Sequence, residues 1–183
     1  IFGKSLNAGQ ICVAPDYVLL PRGQEQGFIE AYQTHFRRLY PKGLDSPDYG
    51  SIINAAQYER LTAWLAEAKQ AGAQAHPCAS PARDDGARRL VPHLLTEVPG
   101  HCQLMQQEIF GPLLPLVPYD SIEEAIAYVA ARPRPLALYL MSLDETLQSR
   151  LIRETHAGGM AINESLFQVA ADDAPFGGIG PSG

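Results

Sequence analysis

The residues best suited to chemistry form a short stretch near the start of the chain, where residues 7–12 read Asn-Ala-Gly-Gln-Ile-Cys. A cysteine nucleophile must be accessible, and its surroundings must favour the thiolate. The glycine-containing turn predicts that Cys12 is displayed just ahead of an apolar strand, where backbone N–H groups can stabilise negative charge. On these residues alone an ordinary packing cysteine is an equally good interpretation, because most cysteines behave as small buried hydrophobes.

A second candidate lies at residues 107–112, which read Gln-Glu-Ile-Phe-Gly-Pro. Glu108 can accept hydrogen bonds from the hydroxyl groups of a diol, and Phe110 can pack on a flat ring. The pattern therefore suits a hydroxylated, planar ligand. The alternative is a turn at the entry to a strand, with Glu108 simply solvated.

Two further patterns carry less weight. His76, Cys78, His101 and Cys102 resemble metal ligands, but neighbouring residues such as His101 and Cys102 seldom converge on one ion, so we expect no metal site. Residues 178–183 match Gly-x-Gly-x-x-Gly, yet a dinucleotide fingerprint needs a strand before it and a helix after it. We therefore interpret this tail as a ligand-facing or mobile loop.

Composition narrows the class of protein. The chain has 183 residues, a formal net charge of −6 and three cysteines. An acidic chain without a basic block argues against nucleic acid as a partner, and no apolar run reaches the ~20 residues of a membrane span. An odd and sparse set of cysteines indicates reduced thiols and a cytoplasmic location.

Helices and strands alternate along the predicted chain. Four-residue spacing of aromatic side chains predicts the first helix, and a Ser-x-x-Glu capping pattern opens the third at Ser121. The fold class predicted is α/β, an open, mainly parallel sheet with helices on both faces. The predicted helices cover about 24–40, 55–71, 121–130 and 145–154, and the main strands about 17–21, 89–98, 109–117, 136–141 and 159–163.

Taken together, the motifs resemble the NAD(P)-dependent aldehyde dehydrogenase superfamily across essentially the whole chain. Details at residues 14–21, 158–163 and 172–183 look most like the coniferyl aldehyde dehydrogenases. The motifs that match in order and approximate spacing are residues 7–12, 107–112 and 132–139, Asn163, and residues 175–183.

The resemblance implies a role for each candidate. Cys12 would attack the aldehyde to give a thiohemiacetal, which loses hydride to NAD or NADP and leaves a thioester that water hydrolyses. Glu108 would bind the hydroxyls of the nicotinamide ribose, and Phe110 would pack near the nicotinamide. Asn163 and Phe176 would lie near the substrate channel, where an aromatic side chain suits an aryl or other apolar aldehyde.

One departure from the family pattern is Gln107, where the family usually has a first acid before the retained Glu108. The resemblance also implies that residues 1–183 form a truncated aldehyde dehydrogenase catalytic domain. The cofactor-binding domain, the general-base Glu, the oxyanion Asn and the C-terminal oligomerisation arm would lie outside it. We therefore expect this chain alone to be inactive and the intact protein to be a homo-oligomer. The alternatives are a CoA-acylating aldehyde dehydrogenase, or a non-catalytic assembly module that retains the fold.

Overall fold

The computed structural model describes residues 1–173 and 175–183. Within them the chain forms two compact units, Ile1–Pro118 and Tyr119–Gly183. Strands and helices alternate through both units, which confirms the α/β class that the sequence predicts.

The strands of the first unit are β1 (Val18–Pro21), β2 (Gln74–Pro77), β3 (Arg83–Asp84), β4 (Arg89–Leu90), β5 (His93–Thr96) and β6 (Leu113–Tyr119). Four of them form a sheet with the strand order β1-β6-β5-β2. Strands β5 and β6 are parallel, and His93 lies opposite Leu113. In contrast, β2 runs antiparallel to β5, because the chain returns between them without a crossover helix. A separate antiparallel pair, β3–β4, occupies that return.

Two long helices of the first unit agree closely with their predicted bounds. Helix α2 buries Ile29, Tyr32 and Phe36 on one face, which is the stripe that the sequence spacing indicates. Helix α3 begins where the Asn54 side chain accepts a hydrogen bond from the backbone N–H of Gln57, an N-cap that satisfies one of the free donors of the first turn. The helices of this unit are α1 (Phe2–Ser5), α2 (Glu25–Leu39), α3 (Ala55–Gln70) and α4 (Gln103–Gln106).

A continuous apolar core joins these helices to the sheet. Phe36 of α2 and Tyr49 meet edge to face, with ring centroids 5.6 Å apart and an interplanar angle of 88°. Ala8, within the stretch 7–12 that carries Cys12, and Ile109, between Glu108 and Phe110, are fully buried members of the same core. The core therefore anchors both candidate segments.

The second unit contains a parallel pair of strands, β7 (Ala137–Leu140) and β8 (Gly159–Ile162). Helix α5 (Ile122–Ala130) begins with the predicted cap, in which the Ser121 hydroxyl accepts from the N–H of Glu124. Helix α6 (Glu145–Glu154) is capped by Asp144. None of the helices formed by residues 1–173 and 175–183 is both long enough and apolar enough to cross a membrane.

Candidate active site

Cys12 follows a turn of unusual backbone conformation. Asn7, Ala8 and Gly9 have φ angles of 49°, 53° and 73°, so three consecutive residues adopt the left-handed region. This region costs non-glycine residues about 1–2 kcal/mol each, and such strain persists only where the surroundings enforce it. Cys12 itself is exposed, as the sequence predicts, whereas Cys78 and Cys102 are buried. We call residues 7–12 the Cys12 turn.

Gln10 fastens the Cys12 turn to residues 51–53. Its side-chain Nε2 donates to the carbonyl of Asn7 at 3.0 Å and to that of Ser51 at 3.1 Å. Its Oε1 accepts from the N–H of Ile53 at 2.9 Å. The residue is 8% exposed, and its amide nitrogen and its amide oxygen both bond to the backbone. Gln10 therefore ties the turn to residues 51–53, a role that its place in the motif did not reveal.

The Cys12 turn contacts residues 108–112, which we call the 108–112 segment. A Cβ atom built on Gly9 would lie 2.5 Å from the carbonyl oxygen of Gly111, so the two backbones meet with no room for a side chain. A Cβ on Gly111 would in turn lie 2.5 Å from the Leu61 side chain of α3. The structure thus brings together two of the segments that the sequence analysis singled out, although about 100 residues separate them along the chain.

The 108–112 segment presents Glu108 and Phe110 on the surface and buries Ile109 between them. Phe110 is 38% exposed and Ile109 is fully buried. Phe110 also has a left-handed backbone, with φ 46°. The Arg60 guanidinium of α3 donates to the Ile109 carbonyl at 2.6 Å and, at 3.4 Å, to that of Glu108. The side chains of Glu108 and Phe110 are therefore exposed, while the hydrogen bonds from Arg60 hold the backbone that carries them.

Charged groups surround this segment at short range. Lys4 is 2% exposed, and its Nζ lies 3.6 Å from Oδ1 of Asp16. Burial lowers the pKa of Lys4 to about 8, against the opposing attraction of Asp16 and Glu108. Burial also raises the pKa of Asp16, which Lys4 opposes. The pKa of Glu108 is raised by burial and by Asp16, while Arg60 and Lys4 act to lower it.

Lys4, Asp16 and Arg60 are functional candidates that sequence reasoning missed. Burial of Lys4 conflicts with the usual rule that lysine is exposed. The sequence could have pointed to Asp16, because this acidic residue interrupts the apolar residues that follow Cys12. Arg60 lies on a predicted helix, and nothing in its neighbourhood indicates which face of that helix meets the 108–112 segment.

Asn163 lies in the second unit, immediately after β8. Its backbone is left-handed, with φ 59°. Its side-chain Oδ1 accepts from the N–H of Ser142 at 2.8 Å, and its Nδ2 donates to the Ser142 carbonyl at 2.9 Å. This amide therefore ties the end of β8 to the residues after β7, which is a structural task that the sequence did not indicate.

Phe176 lies in the tail of the second unit and is 61% exposed. It borders a cavity of about 180 Å³ whose other lining residues include Leu136, Met160 and Gln168. A Cβ on Gly158 would lie 2.5 Å from the Gly177 carbonyl, so the tail packs closely on the strand pair beside this cavity. An exposed aromatic ring next to a small cavity is suited to contact with an apolar ligand.

The other sequence candidates do not form a site in the residues described. Cys78 and Cys102 are buried, and within residues 1–173 and 175–183 no group of three or more His, Cys, Asp or Glu side chains could hold a metal ion. The glycine-rich tail forms a short 3₁₀ turn at Gly180–Ser182.

This α/β chain displays a thiol at the end of a strained turn, and the backbone of that turn contacts a segment that carries an exposed carboxylate and an aromatic ring. Such parts are suited to a cysteine-dependent enzyme site. The chain belongs to the aldehyde dehydrogenase family, whose family model matches residues 1–183. A probable coniferyl aldehyde dehydrogenase of Pseudomonas aeruginosa is 49% identical over 182 residues, which cover 100% of this chain and 38% of that protein.

Solved structures agree with this assignment. The substrate-bound state of Staphylococcus aureus AldH has a TM-score of 0.89 and 43% identity, and the match covers 99% of this chain and 39% of that one. An aldehyde dehydrogenase of Mycobacterium tuberculosis complexed with NAD+ has a TM-score of 0.81 and 27% identity, and the match covers 99% and 38% of the two chains. The chain thus spans about two fifths of the length of the relatives it matches.

Proposed function

We propose that residues 1–183 are the catalytic-domain portion of an NAD(P)-dependent aldehyde dehydrogenase, which oxidises an aldehyde to a carboxylic acid. The observation that carries the proposal is the exposed Cys12 on a strained turn whose Gly9 touches the 108–112 segment. That arrangement supports a site in which a nucleophile on the Cys12 turn and a cofactor contact on the 108–112 segment are held at a fixed distance from each other. Three free cysteines also suit the reducing conditions of the cytoplasm.

Cys12 is the proposed nucleophile. Its sulfur forms a bond to the aldehyde carbon, and the carbonyl oxygen takes up a proton to give a thiohemiacetal. The backbone N–H of Cys12 is suited to donate to the oxygen as negative charge develops there. Loss of hydride from the carbon and of the proton from the hydroxyl group leaves a thioester on Cys12, and water then releases the carboxylic acid and restores the thiol.

Glu108 and Phe110 are the proposed cofactor contacts. When bound, NAD or NADP accepts the hydride. The residues fit such a ligand, because Glu108 presents an exposed carboxylate for ribose hydroxyls and Phe110 presents a ring for packing. Arg60 and the buried Ile109 hold the backbone between them, so both side chains keep their direction when a ligand arrives.

Phe176 and Asn163 are the proposed substrate contacts in the second unit. The relative named as a probable coniferyl aldehyde dehydrogenase supports an aromatic aldehyde, and an exposed phenyl ring suits it. Phe176→Ala should therefore raise KM for coniferyl aldehyde more than KM for a short aliphatic aldehyde. Equal changes for both substrates would remove Phe176 from the substrate site.

The test of the nucleophile uses the full-length protein that contains this chain. Formation of reduced nicotinamide from an aromatic aldehyde is followed by absorbance. Cys12→Ala should lower kcat by about 10⁴-fold or more, as loss of a covalent nucleophile does. Cys102→Ala is the matched control, since it also removes a thiol but at a fully buried position, and its kcat should stay within about two-fold.

Three outcomes would change the assignment. Undiminished oxidation by Cys12→Ala would show that another group attacks the aldehyde. A requirement for CoA, with an acyl-CoA product, would show that a thiol and not water resolves the thioester. Absence of any oxidation by the full-length protein would favour a non-catalytic module.

A further inference from the structure

Lys4 occupies a position that stability alone does not explain. Its side chain is 2% exposed, and within residues 1–173 and 175–183 its Nζ makes no hydrogen bond. A buried ion pair is often no more stabilising than apolar residues of the same volume. Lys4 lies three residues before the Cys12 turn. Its backbone carbonyl oxygen would be 3.1 Å from a Cβ atom built on Gly9. The position of Lys4 therefore indicates a role in the candidate active site formed by the Cys12 turn and the 108–112 segment.

Asp16 is the partner of Lys4, with 3.6 Å between Nζ and Oδ1. The same Oδ1 accepts a hydrogen bond from the backbone N–H of Ile109 at 3.3 Å, across 93 residues of chain. The backbone of Phe110 also acts to lower the pKa of the Asp16 carboxylate. Asp16 follows Cys12 by four residues, so this carboxylate links the strand lead-in after the thiol to the 108–112 segment.

Ile109 is consequently held at three points. Its N–H donates to Asp16, its carbonyl accepts from Arg60, and its side chain is fully buried. The hydrogen bond from Arg60 joins the segment to α3. The hydrogen bond to Asp16 joins it to the residues that follow Cys12. The direction of the Glu108 side chain therefore depends on both contacts.

We propose that Lys4 is a positioning residue, which through Asp16 holds the 108–112 segment in the conformation that binds the nicotinamide half of the cofactor. This inference rests on the proposed function. Without the Lys4 charge, the partly exposed Asp16 carboxylate faces Glu108, and Arg60 remains as a counter-charge to both. The Asp16 side chain is 35% exposed and can turn to water, which would release the Ile109 N–H.

The test compares Lys4→Met with Lys4→Met/Asp16→Asn in the full-length protein. Lys4→Met should raise KM for NAD(P)+ by about ten-fold, while kcat at saturating cofactor changes far less. The added Asp16→Asn supplies a neutral amide oxygen that can still accept from Ile109, so KM should return to within about three-fold of the wild type. A purely structural lysine would lower thermal stability and leave KM for the cofactor unchanged.

The wild-type pH profile is a second readout, and it does not depend on the folding of any variant. The groups acting on Lys4 are Asp16 and Glu108, and Arg60 acts on both of these carboxylates. Since the pKa of Lys4 is lowered to about 8, KM for NAD(P)+ should rise between pH 7.5 and 9 as the lysine loses its proton. The double variant should lack this rise.

The outcomes separate the two proposals. A wild-type protein that does not reduce NAD(P)+ overturns the proposed function, and this inference with it. An active wild-type protein whose cofactor KM is flat with pH, or is unchanged by Lys4→Met, overturns this inference alone.

Discussion

Replacing Gly9 by alanine tests the contact on which the candidate site depends. The left-handed φ of 73° at Gly9 would cost alanine about 1–2 kcal/mol. The added Cβ would also lie 2.5 Å from the Gly111 carbonyl oxygen, and this oxygen belongs to backbone that has no free rotation with which to move aside. Overpacking of this kind costs about 1–3 kcal/mol. Gly9→Ala should therefore destabilise the first unit by about 3 kcal/mol.

Gly23→Ala is the matched control, because Gly23 has φ 88° but nothing within 4 Å of the added Cβ. It should cost only the backbone strain of about 1 kcal/mol. Urea unfolding can be followed by the fluorescence of Trp64, the single tryptophan of the chain. With slopes of about 2 kcal/mol per molar urea, the midpoint of Gly9→Ala should fall about 1 M below that of Gly23→Ala. Equal midpoints would refute the tight contact between the Cys12 turn and the 108–112 segment.

Three further predictions concern other parts of the chain. Lys4 has its pKa lowered on folding to about 8, so the unfolded state binds more protons between pH 8 and 10.5 and stability rises with pH. Wild type should gain about 1 kcal/mol relative to Lys4→Met from pH 8 to 9, and parallel curves in urea would contradict this. Iodoacetamide should label the exposed Cys12 well before the buried Cys78 and Cys102, as mass spectrometry can check; equal rates would contradict a displayed thiol. Asp144→Ala should destabilise the second unit by about 1 kcal/mol in thermal unfolding, whereas Asp144→Asn, which keeps the cap, should not; equal losses would contradict the capping role.

Helices were the most predictable part of this fold. The predicted ranges 24–40, 55–71 and 145–154 agree with α2, α3 and α6 to within about a residue at each end. Their signals are local, because four-residue spacing of apolar side chains and capping residues act within one or two turns. The display of Cys12 was less predictable, since the glycine-containing turn left a packing cysteine as an equally good interpretation, and the resemblance of the other motifs to a known family decided between the two.

The supports of the site could not be predicted in this way. The burial of Lys4 depends on Asp16, and the place of Asp16 depends on the backbone of Ile109, 93 residues further along the chain. The left-handed conformation of Ala8 is equally hidden, because alanine has no local preference for it. Each of these features is decided by tertiary contacts, which override the tendencies that a sequence pattern records.

The positions of backbone strain connect these observations. Asn7 and Phe110 are both left-handed and both non-glycine, and each lies next to a residue that the core buries completely, Ala8 or Ile109. Ala8 is left-handed as well, so strain at the Cys12 turn includes a residue inside the core. The core of the first unit therefore does more than stabilise the fold, because it anchors the strained backbone of both the Cys12 turn and the 108–112 segment next to their exposed side chains.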